Sequence, residues 1–304
     1  MKNLKYFLSD ALKNNYALGA FNFSNMECLQ GILQACKTNN SPAIVSVSEG
    51  AFKYMGDNFT MALAKTAKEE FPYLFLHLDH GKSFEICQKA IDLGFDSVMI
   101  DGSSLNFEEN IALTKKVVLY AHSKNVLVEG ELGQIKGIED NVSSESHFYT
   151  NPLDAQNFVK QTNVDFLAIS IGTSHGAYKY SGEQTLRIDI LSEIEKALPD
   201  FPLVLHGASQ VPEQLLEKVN KFGGEIKGAK GIPANLLEEV VTKHNIVKIN
   251  TDTDIRLSMT GAVRECLTDK SVFDPRHYLG KGVSEIASTV ENKIKNVLFS
   301  NNRI

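Results

Sequence analysis

Three of the eight histidines in this 304-residue chain stand just past an apolar run and just before a glycine: His80, His175 and His206. The runs are Leu74-Phe75-Leu76-His77-Leu78-Asp79, Phe166-Leu167-Ala168-Ile169-Ser170 with its tail Ile171-Gly172-Thr173-Ser174, and Pro202-Leu203-Val204-Leu205. Each reads as a short buried strand. A lone buried histidine is ordinarily a hydrogen-bonded core residue. Three at matching topological positions point instead to one shared ion. Three histidines with one open position is a catalytic zinc pattern, whereas structural zinc sites are closed and rich in cysteine. Asp79 adds to the case, because a buried strand has no structural need for a charge at its tip.

Other strand-like runs end the same way, in Asn22, Ser48, Asp101, Glu131, Asn250 and Asp252. Asp101 and Glu131 are open to three readings: carboxylates supporting the ligands, alternative ligands, or salt-bridge partners. A metal-related role is the expectation. Gly172-Thr173-Ser174-His175-Gly176, His206-Gly207-Ala208-Ser209 and Asn250-Thr251-Asp252-Thr253 are rich in small residues. Such loops let backbone N–H groups approach an anion, and also serve as plain tight turns. His77, two residues before Asp79, is expected to fill the interior. His122, His147, His244 and His277 follow no strand run and default to surface or packing. Lys248 faces the same way as Asn250; it is a Schiff-base candidate or, as expected here, an interior ion-pair partner.

The elements that must carry these residues alternate. Helical spacing is read over 3–14, 25–39, 58–70, 83–93, 106–123, 152–162, 187–198, 212–221, 253–268 and 283–298. Strands are read over 17–23, Ala43–Ser48, 74–80, 97–101, 126–132, 164–170, 202–206 and 246–250. About eight alternations with no Pro- or Ser-rich linker demand a parallel sheet. The expected fold is a (β/α)8 TIM barrel with additional terminal helices, one domain over 1–304, with its chemistry at the carboxyl ends of the strands. No dinucleotide fingerprint or phosphate loop of the nucleotide-binding folds is present. Residues 133–150 show no periodicity and read as a long loop, in which Glu139 could approach a substrate as a base.

Composition bounds the partners. Hydrophobic residues make up 43% and charged residues 22%, ordinary for a globular protein, and the net charge of -6 argues against nonspecific nucleic-acid binding. Lys2, Lys5, Asp10 and Lys13 interrupt the first residues, so no signal or membrane segment is expected there. Four cysteines without a C-x-x-C pair read as reduced thiols, which places the chain in a cytoplasm.

Taken in order, Gly19-Ala20-Phe21-Asn22, Ser48-Glu49-Gly50, Leu78-Asp79-His80-Gly81, Met99-Ile100-Asp101-Gly102-Ser103, Phe107-Glu108-Glu109-Asn110, Glu129-Gly130-Glu131-Leu132-Gly133 and the three small-residue loops resemble the bacterial class II, metal-dependent fructose-1,6-bisphosphate aldolases. The resemblance runs essentially end to end. It implies that His80, His175 and His206 hold a catalytic Zn2+, and that Asp101 and Glu131 hold a second metal or an alternative zinc position. It implies that Asp79 is the acid/base at the C4 hydroxyl and that Glu139 exchanges the C3 proton. Asn22 and Ser48 would contact the triose half. Gly176, Lys179, Gly207, Ala208, Ser209, Asn250, Thr251, Asp252 and Thr253 would hold the dihydroxyacetone phosphate end, near a monovalent cation (Na+ or K+). Arg256, and Arg276 of a neighbouring subunit, would hold the other phosphate in a homodimer or homotetramer. Tagatose-1,6-bisphosphate aldolases tend to replace the acid at the Asp252 position and lack the Asp254-Ile255-Arg256 run, so both features favour fructose bisphosphate. A noncatalytic metal-binding barrel is the reading from another class. Lys136 and Asn106 depart from the usual family residues.

Overall fold

The computed structural model describes residues 2–134, 136–139, 142–144, 149–175 and 186–304, with the backbone alone for 136–139, 142–144 and 175. Its strands are β1 (Leu18–Asn22), β2 (Ala43–Ser48), β3 (Leu74–Gly81), β4 (Ser97–Ile100), β5 (Leu127–Leu132), β6 (Lys136–Glu139), β7 (Val142–Ser144), β8 (Phe166–Ile169), β9 (Ser174–His175), β10 (Leu203–Leu205) and β11 (Ile246–Thr251). Its helices are α1 (Leu4–Asn14), α2 (Met26–Thr38), α3 (Glu49–Met55), α4 (Asp57–Glu70), α5 (Phe84–Leu93), α6 (Phe107–His122), α7 (Pro152–Thr162), α8 (Ile188–Ala197), α9 (Glu213–Lys221), α10 (Ala234–Lys243), α11 (Thr253–Cys266) and α12 (Pro275–Asn296).

Eight parallel strands close into a barrel in the order β1-β11-β10-β8-β5-β4-β3-β2. The expected eight-stranded α/β barrel is therefore the fold. Both faces of these strands are covered, so their side chains sort by alternation rather than by polarity. One set faces the helices: Val45, Val47, Leu76, Leu78, Val98, Val128, Leu167 and Leu205 belong to the large core between sheet and helices. The other set faces inward: Leu18, Ala20, Ile44, Phe75, Met99, Phe166, Ala168 and Val204 form a separate apolar cluster. Leu4, Phe7, Leu8 and Ala11 of α1 join that inner cluster and plug the amino-terminal end of the barrel. The mouth at the opposite end is left to polar residues.

Helix starts follow local chemistry. Side chains of Asn3, Asn25, Ser48, Ser83, Asn106, Asn151 and Asp274 each accept a backbone N–H of the first turn. Asn106 caps α6 by accepting from the Glu109 N–H at 3.0 Å. No described helix is long and apolar enough to cross a membrane.

Four expectations about elements are corrected. Residues 133–150 are not structureless: β6 pairs antiparallel with β7 and parallel with β9. A short Gly-containing strand carries little intrinsic preference, and tertiary pairing decides it. The strand of Ser48 runs straight into α3, a seven-residue helix too short to show a period. Residues 222–245 hold α10, whose Leu237, Val240 and Val241 face the core at helical spacing. And α12 starts at Pro275, eight residues before the expected 283, because Gly280 and Gly282 lie inside it. Gly282 packs where a Cβ would come within 2.2 Å of Met259 Sδ on α11.

Candidate metal centre

Adjacent residues on a strand normally face opposite ways. At the tip of β3 that rule is broken. His80 has φ 49°, a left-handed conformation uncommon outside glycine, and the pairing of β3 with β4 shifts register between Leu78 and Gly81. The kink lets Asp79 and His80 both turn into the mouth.

His80 Nε2 lies 3.0 Å from His206 Nδ1, and the two rings meet edge to face at 4.7 Å. That gap is close to the spacing of two imidazole nitrogens around one tetrahedral zinc, about 3.3 Å. His206 follows β10 and is fully buried. The loop it begins is pinned from below: Gly207 has φ 61°, and a Cβ there would lie 2.7 Å from the Ser174 backbone. Only glycine lets the His206 loop cross β9 so closely. His175 ends β9, and β6 pairs along β9 with Gly137 opposite His175. The side chains of His175 and Glu139 lie outside the described residues, as do Gly176 and Lys179.

Carboxylates surround His80. Its Nδ1 is 2.9 Å from Asp101 Oδ2 and 3.6 Å from Glu131 Oε2. Burial opposes the imidazolium, but Asp79, Asp101 and Glu131 outweigh it and raise His80 to about 10. Asp101 is held the other way. Burial would raise its carboxyl, but His80 and Lys82 hold it well below the usual range. Lys82 Nζ reaches Asp101 Oδ2 at 2.6 Å, and Ser103 Oγ donates to Oδ1 at 2.6 Å. Glu131 is pushed well above its ordinary value by burial and by Asp101, and its Oε2 is buried with no hydrogen-bond partner among the described residues. An orphaned carboxylate oxygen beside two converging imidazoles is a donor set that fits a divalent cation. Among the described residues, two overlapping groups of potential ligands result: Asp79, His80 and His206, and His80, Asp101 and Glu131.

Asp79 is clamped. Asn22 Nδ2 donates to its Oδ2 at 2.8 Å and Asn250 Nδ2 to its Oδ1 at 3.0 Å. The Oδ1 atoms of both asparagines are buried without hydrogen-bond partners among the described residues. The carboxylate is thus fixed beside the imidazole pair by two neutral donors.

Behind Gly207, Ala208 and Ser209 are buried, and Asp254 accepts the N–H groups of Gln210 at 3.1 Å and Val211 at 2.8 Å. Lys293 of α12 pairs with Asp254 at 2.5 Å. On the neighbouring strand, Asn250 and Thr251 end β11, Asp252 stands at the N-cap position and Thr253 begins α11. A helix N-terminus at the barrel mouth is an anion site in kind. Arg256 folds back onto Asp252 through 2.7 and 2.9 Å contacts. Ser48 Oγ accepts the Ala51 N–H at 3.3 Å and so caps α3. Arg276 is 90% exposed, bonded to Asp274, and no described contact links it to the mouth.

Lys82 and Glu129 are the site residues that sequence reasoning passes over. Lys82 lies past the motif that ends in Gly81, where nothing marks a lysine as special. Glu129 does carry a signal, a charge inside an apolar run. Its Oε1 is 2.6 Å from His206 Nε2 and its Oε2 is 2.7 Å from Lys248 Nζ. Lys248 is therefore in the interior ion pair expected of it. His77 lines the interior as expected, with Nδ1 2.7 Å from Ser97 Oγ.

The chain matches the family described as fructose-bisphosphate aldolase class-II over residues 2–303. It is 46% identical to fructose-bisphosphate aldolase of Treponema pallidum (strain Nichols), covering 99% of this chain and 97% of the relative. It is also 46% identical to fructose-bisphosphate aldolase of Helicobacter pylori (strain ATCC 700392 / 26695), covering 98% and 97%. Among solved structures it is similar to the YdjI aldolase from Escherichia coli K12, with a TM-score of 0.80 at 28% identity over 100% of this chain and 99% of that one. With the family matched over residues 2–303 and 46% identity across almost the whole chain, the chain belongs to the class II fructose-bisphosphate aldolases.

Proposed function

We propose that this protein catalyses the reversible aldol cleavage of D-fructose 1,6-bisphosphate to dihydroxyacetone phosphate and D-glyceraldehyde 3-phosphate. The observation that carries the proposal is Asp79, fixed by two asparagine amides next to the converging His80 and His206 nitrogens. Membership of the family and the names of its full-length relatives support this reading over a tagatose bisphosphate specificity.

His80, His206 and His175 are the residues proposed to hold zinc, with Asp101 and Glu131 as a second position. Bound there, the ion supplies a Lewis acid that polarises the ketose carbonyl. Asp79 accepts the C4 hydroxyl proton as the C3–C4 bond breaks. The bonding electron pair stays with the three-carbon ketose half, and Glu139 delivers a proton to C3. In the condensation direction each residue works in reverse. Asn22 and Ser48 are proposed to orient the triose half. Gly176, Lys179, Gly207, Ala208, Ser209, Asn250, Thr251, Asp252 and Thr253 are proposed to hold the dihydroxyacetone phosphate end, with a monovalent cation beside it. Arg256, and Arg276 of a neighbouring subunit, are proposed for the far phosphate, which implies a homodimer or homotetramer.

A Schiff-base route through Lys248 finds no support, since that amine is wholly buried against Glu129. The test is a coupled assay of both bisphosphate epimers, with and without chelator. Cleavage of the fructose epimer that chelation abolishes is the expected result. Preference for the tagatose epimer, or activity indifferent to chelation, would overturn the proposal.

A further inference from the structure

A charged layer lies directly beneath the metal centre. Glu129 of β5, Lys248 of β11 and His77 of β3 are fully shielded from solvent inside the barrel. Glu129 accepts from Lys248 Nζ at 2.7 Å through Oε2 and sits 2.6 Å from His206 Nε2 through Oε1. A buried ion pair contributes little net stability, and apolar residues of similar volume serve a core as well or better. The pair therefore calls for another account.

An ionised carboxylate oxygen has only lone pairs to offer. The proton between Glu129 and His206 accordingly sits on Nε2, and Nδ1 keeps its lone pair. A second contact agrees. Asn250 Nδ2 is 3.2 Å from His206 Nδ1, and its identity as the amide nitrogen is set by its 3.0 Å bond to the Asp79 carboxylate. The Nδ1 atom thus faces a donor, and it also faces His80 Nε2. Which nitrogen of a histidine binds a metal is decided by the bond the other one makes.

We infer that Glu129 is a positioning residue for the metal centre: it fixes His206 in the tautomer whose Nδ1 lone pair faces His80, and Lys248 holds Glu129 in the orientation that does so. The inference rests on the proposed metal-dependent reading of the site.

The isosteric change Glu129→Gln discriminates this role from simple packing. Lys248 is a donor only, so the glutamine turns its carbonyl oxygen to Lys248 and its amide group to His206 Nε2. Nε2 must then accept, and the proton moves to Nδ1, the nitrogen needed for the metal. Removing the competing donor, in Glu129→Gln/Lys248→Met, frees the glutamine oxygen to accept from Nε2–H again.

The experiment measures zinc dissociation constants of the purified variants by competition with a chromogenic chelator, and assigns the His206 tautomer by NMR of 15N-histidine-labelled wild-type protein. The expected result is about a 10–100-fold weaker zinc constant in Glu129→Gln. The double variant recovers most of that loss, and wild-type His206 carries its proton on Nε2. A purely structural role predicts a double variant no tighter than the single one. That outcome, or a single variant within about twofold of wild type, overturns the inference. Should the variants fail to fold, a proton on Nδ1 in the wild-type spectrum overturns it instead. Wild-type activity that survives demetallation would sink the functional reading, whereas the tautomer still decides the role of Glu129.

Discussion

At the scale of single residues, the proposed reaction centres on Asp79 and its neighbours. Two asparagine amides hold the Asp79 carboxylate where a hydroxyl proton can reach it, and general acid/base help of this kind is worth about 10²–10⁴-fold. Asp79→Ala should cut turnover by that order, while metal analysis still finds ion close to the wild-type level. Loss of the ion along with activity would make Asp79 a ligand instead. The cysteines give an independent check on the packing. Burial pushes the Cys28 thiol up to about 11 and Cys36 up to about 12, and it raises Cys87 further still. Cys28, Cys36 and Cys87 are buried, and Cys266 is partly exposed. A thiol reagent at neutral pH should therefore label Cys266 in the native protein, and the other three only after denaturation. Peptide mapping of the labelled protein reads this directly. The strand-tip positions of His80, Asp79 and His206 were legible because each ends an apolar run. Lys82 was not, and Glu129 showed only as a charge inside an apolar run, because the partners of both are set only once the strands are brought side by side.

At the scale of elements, the site depends on how closely the loop after β10 crosses β9. Gly207→Ala adds a Cβ about 2.7 Å from the Ser174 backbone, at a positive φ. It should cost about 1–3 kcal/mol of stability, seen by urea unfolding, and weaken metal retention. The next anchor is Asp254, which bonds two backbone amides of the same loop and pairs with the buried Lys293. Removing one partner of such a pair costs about 3–5 kcal/mol. Asp254→Ala should therefore lower the unfolding midpoint and raise KM, because the Gly207–Ser209 backbone loses its support; an unchanged KM would separate that anchor from substrate binding. Alternating apolar runs made the eight barrel strands readable. The pairing of β6 with β7 and β9 was not, since Lys136-Gly137-Ile138-Glu139 has neither period nor β-rich composition and becomes a strand only beside its partners. The early start of α12 was hidden for a related reason. Gly280 and Gly282 weaken helix propensity, and only the packing of Gly282 against Met259 accounts for them.

For the whole molecule, structure and chemistry are separated along the barrel axis. Apolar residues and α1 seal one end, a charged layer follows, and the proposed metal ligands sit at the mouth. Phe7→Ala, in the plug, should cost about 3–5 kcal/mol of stability and leave kcat of the folded enzyme nearly unchanged. The same separation predicts that demetallated protein stays folded. A noncatalytic barrel built around its metal would unfold when the ion is removed. The central claim is that His80 and His206 gather one divalent ion at the mouth. Anomalous diffraction at the zinc edge from crystals of the active holoenzyme tests it most directly. The account predicts a single strong peak about 2.0–2.1 Å from His80 Nε2 and His206 Nδ1. Fully active crystals with no ion on those two nitrogens would contradict it.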